Sequence, residues 1–92
     1  MIELGGNIKL EGFDEIESGK LVVVRKMVGS YARKISNKKQ YKELKLGLKI
    51  ESDNCEINVV CVNEDGQIEG VKSDKNLFFA INGALESVLT KV

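Results

Sequence analysis

The chain has 92 residues, with 14 basic and 14 acidic side chains, no histidine and no proline. This length supports one hydrophobic core, which predicts a single α/β domain spanning residues 1–92, and the 42% hydrophobic and 30% charged fractions exclude a disordered chain. No apolar run approaches the roughly 18 residues of a membrane-spanning helix and the start lacks a signal peptide, which predicts a cytoplasmic protein with no membrane partner.

The first half of the chain is expected to contain a strand, a helix and a loop. Apolar residues alternate over residues 2–10, which predicts one half-buried strand with a bend at Gly5 and Gly6. Residues 21–35 carry an apolar stripe of helical period, although the run of valines at its start favours a strand. Asp14 and Ser18 are both candidate caps for this helix, and residues 36–40 are predicted to form a polar loop.

The second half predicts three strands and a last helix. Residues 41–51 alternate most clearly, with Leu44 and Leu46 on one side and Lys45 and Lys49 on the other. Residues 55–61 and 67–71 form two further strands, joined by a hairpin turn at residues 64–66. The last helix is predicted at residues 75–91, with Ser73 or Asp74 as its cap.

The element order β-α-β-β-β-α predicts an α+β fold, a two-layer sandwich in which a four-stranded mixed sheet carries both helices on one face. The strands on either side of the first helix should be parallel, because a crossover connection joins them. The last three strands should form an antiparallel meander. The opposite face of the sheet is left to solvent, with the side chains of Lys9, Lys45, Lys49 and Asn58.

The two cysteines are expected to be reduced. Cys55 and Cys61 lie six residues apart in one predicted strand, roughly 20 Å in extended chain, whereas a disulfide needs Cα atoms within about 7 Å. A metal site is not expected, because the chain has no histidine and no further cysteine.

Catalysis is not expected either. Without histidine, a serine or cysteine nucleophile lacks its usual base, and the glycines fit neither the dinucleotide nor the P-loop pattern. The residues therefore predict a protein that is not an enzyme and uses no cofactor.

The charge distribution is strongly uneven along the chain. Residues 20–50 carry ten Lys or Arg and a single acid, Glu43, whereas residues 1–19 and 51–92 are net acidic. Such a segment favours a polyanion partner over an ordinary solvated surface, because several cations together neutralise several phosphates. The expected nucleic-acid-binding residues, forming one patch at one end of the domain, are Arg25, Lys26, Arg33, Lys34, Lys38, Lys39, Lys42, Lys45 and Lys49.

Two tyrosines lie within the same segment. Tyr31 belongs to the apolar stripe of the first helix, so core packing is its expected role. Tyr41 stands at a strand start beside Lys42, where stacking on a base and packing in the core remain equal alternatives.

The order of elements and the start of the last helix carry a family resemblance. The run from Asp74 to Leu85, with an aromatic-Ala-Ile-Asn core, resembles the ribosome hibernation-promoting factor and ribosome-associated inhibitor family, and nearly the whole chain shares that family's element order. The resemblance implies a ribosome-binding protein that blocks translation, with Arg25, Lys26, Arg33, Lys34 and Lys38 facing ribosomal RNA. The last helix departs from the family's basic pattern, because its only cations are Lys75 and Lys91.

The leading hypothesis is therefore a non-enzymatic protein that binds ribosomal or other structured RNA through the basic segment 20–50 and modulates translation. The alternative is a protein-interaction module that forms a homodimer through the open sheet face, where Val60 and Val62 supply apolar contacts. A third hypothesis is a protein that binds a small ligand in the helix–sheet cleft, but the sequence offers no specific residue for that role.

Overall fold

The computed structural model describes all 92 residues. Five strands form one mixed sheet in chain order, and both helices pack on one face of it. No helix is long and apolar enough to span a membrane. The elements are β1 (Ile2–Leu4), β2 (Ile8–Glu11), α1 (Ser18–Lys38), β3 (Glu43–Glu51), β4 (Asn54–Asn63), β5 (Gly66–Asp74) and α2 (Leu77–Lys91).

The sheet has five strands because residues 2–10 form a hairpin and not one bent strand. The α+β class and the two-layer arrangement are confirmed, but the predicted four-stranded sheet is wrong. Leu4 pairs with Ile8 in antiparallel register, and the chain reverses through Gly5 and Gly6, whose φ angles are +66° and +83°. Only glycine enters this region at little cost. Apolar alternation is the same on both sides of the turn, so it does not distinguish a hairpin from a bent strand.

The pairing directions of the remaining strands agree with the prediction. β2 pairs with β3 in parallel, with Leu10 opposite Leu46, and β3, β4 and β5 follow as an antiparallel meander. The side chains that face the helices form the buried floor of the core, namely Leu10, Leu44, Leu46, Ile57, Val59 and Cys61.

Both helices differ from their predicted bounds. α1 begins at Ser18 and continues through Lys38, so it absorbs most of the predicted loop 36–40. The cap of α2 is Asn76, whose side chain accepts hydrogen bonds from the backbone N–H groups of Phe78 and Phe79. Neither of the predicted caps, Ser73 or Asp74, fills this role, and Asp74 accepts instead from the N–H of Asn76.

α2 packs unusually close to β5 at Gly70. A Cβ atom placed on Gly70 would lie 2.6 Å from the carbonyl oxygen of Ala84 and 3.0 Å from Cγ2 of Val88. Ala84 and Val88 are fully buried, so neither has space to withdraw. Glycine at this position lets the helix backbone approach the strand.

The cysteines occupy the helix-facing side of β4 and are both free, as predicted. Cys61 is buried, and burial raises the pKa of its thiol. Cys55 is half-buried.

Candidate nucleic-acid interface

Six of the nine predicted binding residues lie on opposite sides of the domain. Arg25, Lys26, Arg33 and Lys34 project from α1 on the helix side, whereas Lys45 and Lys49 project from β3 on the open side. The prediction of one continuous patch is wrong, because the alternation that buries the leucines of β3 turns its lysines away from α1. Lys38, Lys39 and Lys42 lie between these groups, where α1 ends and β3 begins.

The α1 cations form two pairs on the outer surface of the helix. Arg25 and Lys26 make the first pair, and Arg33 and Lys34 make the second, eight residues or about 12 Å further along. All four side chains are exposed, and none of them takes part in an ion pair. We call these four residues the α1 quartet. The quartet offers uncompensated positive charge.

The cations of the open face are neutralised by neighbouring carboxylates. Glu43 Oε2 lies 3.2 Å from Lys9 Nζ, and its Oε1 lies 3.3 Å from Lys45 Nζ. The hydrogen bonds from Lys9 and Lys45 hold the pKa of Glu43 below its ordinary value. Lys49 Nζ lies 3.1 Å from Glu51, which raises the pKa of Lys49. The open face therefore has little free positive charge.

The lysines at the C-terminal end of α1 are mostly engaged as well. Lys38 Nζ donates to the backbone carbonyl of Leu89 over 2.9 Å, which ties α1 to the last turn of α2. Lys39 forms an ion pair with Asp65 that lowers the pKa of the aspartate. Lys42 is exposed and its ammonium has no ion-pair partner.

Tyr31 joins the two helices at the inner edge of the quartet. Its hydroxyl lies 2.6 Å from Oδ1 of Asn82 and 2.8 Å from Oε2 of Glu86, and the residue is buried. The expected packing role of Tyr31 is confirmed. Lys34 Nζ lies 5.0 Å from the centre of its ring, within range of a cation–π interaction. Since Glu86 occupies this side of α2, negative charge borders the quartet there.

Burial, the hydrogen bond to Glu86 and the charge of that carboxylate raise the pKa of Tyr31 to about 12. The tyrosine of the unfolded chain ionises near its ordinary value of 10.0, so the unfolded state loses its proton first as the pH rises. The contribution of Tyr31 to stability is complete below about pH 10 and is lost between about pH 10 and 12.

We expect the free energy of unfolding of the wild type, measured by urea denaturation, to fall between about pH 10 and 12. The fall should be about 2–3 kcal/mol larger than that of the Tyr31→Phe variant. The phenylalanine variant keeps the other titrating groups and so serves as the control. An equal fall in the free energy of unfolding of the two proteins above pH 10 would contradict this expectation.

Tyr41 lies half-buried against the core, and burial raises the pKa of its phenol. The ring also borders a surface cleft of about 430 Å³. The residues lining this cleft are Lys39, Gln40, Tyr41, Lys42 and Glu64.

Three residues of this surface were not predicted from the sequence. Lys20 is exposed and unpaired at the start of α1, and the charge count over residues 20–50 included it without marking it as a site. Gln40 and Glu64 line the cleft beside Lys42. The hairpin signal at residues 64–66 was the only sequence feature near Glu64. It could not place Glu64 beside Lys42, because strand pairing determines which turn meets which loop.

No family model and no curated protein sequence matches the chain. Among solved structures, the N-terminal domain of Protein Y from Thermus thermophilus aligns with a TM-score of 0.72 and 15% identity, over 91% of this chain and 90% of that one. The chain has the Protein Y fold. A ribosomal subunit interface protein from Coxiella burnetii aligns with a TM-score of 0.71 and 9% identity, over 92% and 89% of the two chains.

The Protein Y fold confirms, at the level of fold, the resemblance predicted from the element order. The likeness covers 91% of this chain. The residues of the α1 quartet remain predicted nucleic-acid contacts.

Proposed function

We propose that this chain is a non-enzymatic, ribosome-associated RNA-binding protein that holds phosphate backbone against the outer surface of α1 and thereby modulates translation. The observation that carries the proposal is the α1 quartet, four exposed cations without ion-pair partners on one helix. Phosphate binding needs free cations, because each phosphate neutralised releases condensed counterions.

The fold supports the ribosome as the source of this RNA. The protein from Coxiella burnetii that shares the fold is a ribosomal subunit interface protein, and the likeness covers about nine-tenths of both chains. The neutralised open face supports α1 as the contact surface, since Lys45 and Lys49 already face carboxylates.

The spacing of the quartet also supports backbone contact. Two cation pairs about 12 Å apart reach phosphates at two separate points. Gly29 lies between the two pairs and has no side chain that would hold the RNA backbone away from α1.

The proposal predicts steep salt dependence for binding to ribosomal RNA. Four phosphate contacts give a slope of log K against log salt near −3.6, so affinity should fall on the order of 100-fold between about 50 and about 200 mM salt. Filter binding of the wild-type protein to ribosomal RNA measures this slope. Binding that is absent, or that is insensitive to salt, would overturn the proposal.

A further inference from the structure

The cleft beside Tyr41 is a second feature of the surface, and the phosphate contacts of the α1 quartet do not use it. It opens where α1 ends, between the segment that links α1 to β3 and the tip of the β4–β5 hairpin. Its volume of about 430 Å³ falls in the range of small-molecule sites, although it is open to solvent.

Three interactions hold the two walls of the cleft in place. The N–H of Lys42 donates to the carbonyl of Val62 over 2.7 Å, which joins the linking segment to the end of β4. Lys39, which lines the cleft, forms an ion pair with Asp65 of the hairpin turn. Asn63 is buried, and its Oδ1 accepts from the N–H of Asp65 over 2.9 Å, which shapes the hairpin tip. The walls are thus set by the fold and do not depend on a ligand.

The residues that line the cleft combine chemical groups that the binding of phosphate alone would not require. Lys42 supplies an exposed ammonium, Gln40 an amide and Glu64 a carboxylate, and the half-buried ring of Tyr41 is the one hydrophobic contribution. A carboxylate repels phosphate but accepts N–H groups. A ligand that matches this set carries a phosphate, an aromatic face and an edge of N–H donors.

We infer that the cleft receives one unpaired guanine nucleotide of the bound RNA. This inference rests on the proposed function and names the element of RNA structure that the surface selects. The base stacks on the exposed part of the Tyr41 ring, the Glu64 carboxylate accepts the N1–H and N2–H donors of guanine, and Lys42 contacts the phosphate.

Guanine fits better than the other bases because of its Watson–Crick edge. It presents two adjacent N–H donors there, whereas adenine, cytosine and uracil place acceptors beside a single donor group. A paired base is hidden inside a duplex, so the site selects a loop or bulge. Lys42 follows the α1 quartet along the chain, just beyond the end of α1, so one RNA strand can contact both the quartet and the cleft.

The inference is tested with two probes. The first probe is a set of three RNA hairpins with the same stem. One is fully paired, one has a single bulged guanosine and one has a single bulged uridine. Wild-type protein should bind the guanosine bulge about tenfold more tightly than the other two, as expected for one two-donor base contact. Glu64→Gln should lose this preference, and Tyr41→Leu should reduce it while Tyr41→Phe keeps it.

The control variant is Asp53→Asn, which removes one negative charge from the exposed turn between β3 and β4, at the other end of β4 from the cleft. It should keep the tenfold preference, which separates a specific contact from a general loss of repulsion. Equal, salt-dependent binding of all three hairpins by the wild type would overturn the guanine site and leave the proposed function standing.

The second probe is guanosine monophosphate alone, added to the protein while amide resonances are followed. Shifts confined to residues 39–42 and 64, absent with uridine monophosphate, would support the site even if no ribosomal RNA bound. No shift at roughly millimolar nucleotide, together with equal binding of the hairpins, would overturn it.

Discussion

Replacing Arg33 and Lys34 by glutamine is expected to weaken RNA binding roughly 50-fold near 0.1 M salt. Each phosphate contact contributes about 0.9 log unit of affinity at that salt concentration, and the variant removes two contacts. The slope of log K against log salt should become shallower by about 1.8. Glutamine is a good helix former, so circular dichroism should show α1 unchanged.

The matched control is the double replacement of Lys45 and Lys49 by glutamine. It removes the same amount of charge, but from side chains that already face Glu43 and Glu51. We expect its affinity for RNA to stay within about threefold of the wild type. The variant leaves Glu43 and Glu51 without their lysine partners, but unpaired carboxylates at an exposed site reduce the binding free energy only a little. Equal losses in the two variants would show that only the net charge matters, and would contradict a specific α1 surface.

The second large effect is expected at the contact between α2 and β5. Gly70→Ala places a methyl group 2.6 Å from the Ala84 carbonyl, against a helix that has no space to move. Overpacking of this kind costs about 1–3 kcal/mol, and we expect the free energy of unfolding to fall by about that amount. Urea denaturation monitored by circular dichroism measures it.

Gly29→Ala is the control for this substitution, since it makes the same chemical change in the middle of α1. A Cβ atom at Gly29 meets nothing within 4 Å. Alanine is favoured over glycine in a helix by about 1 kcal/mol, so stability should rise. A neutral Gly70→Ala variant would show that α2 shifts freely over β5, and the close approach would then have no energetic role.

Periodicity alone was sufficient for most of the fold. The leucines of β3 alternate with lysines, and the four-three-four spacing of Val24, Val28, Tyr31 and Ile35 is a helix pattern, so both elements were predicted with their correct buried faces. Parallel pairing of β2 and β3 followed from the helix between them. These features depend on residues close together in the chain.

The fifth strand and the cap of α2 were not predicted because local patterns are ambiguous there. Gly5 and Gly6 suit a bulge as well as a turn, and only pairing of Leu4 with Ile8 selects the turn. Ser73, Asp74 and Asn76 are all good cap residues, and the end of the β5 pairing at Asp74 decides among them.

The candidate site was predicted as a set of residues but not as a surface. All nine cations were named from the charge count, yet the side chains of Lys39, Lys45 and Lys49 are compensated by acids. The unpaired members lie on α1 and at Lys42. The cleft beside Tyr41 had no signal in the sequence, because it forms between a loop and a hairpin tip that are distant along the chain.

The concentration of positive charge in residues 20–50, and the faces of the elements that carry it, follow from composition and periodicity, which are local properties of the chain. Which of those charges are free depends on the folded arrangement of the side chains. Ion pairing requires side chains to meet within about 4 Å. Lys45 and Lys49 meet acids of their own strand, Glu43 and Glu51, whereas the lysines at the end of α1 meet groups from distant parts of the chain. Lys39 meets Asp65, 26 residues away, and Lys38 meets the carbonyl of Leu89, 51 residues away. The quartet on α1 stays free because no acidic element packs over its outer surface.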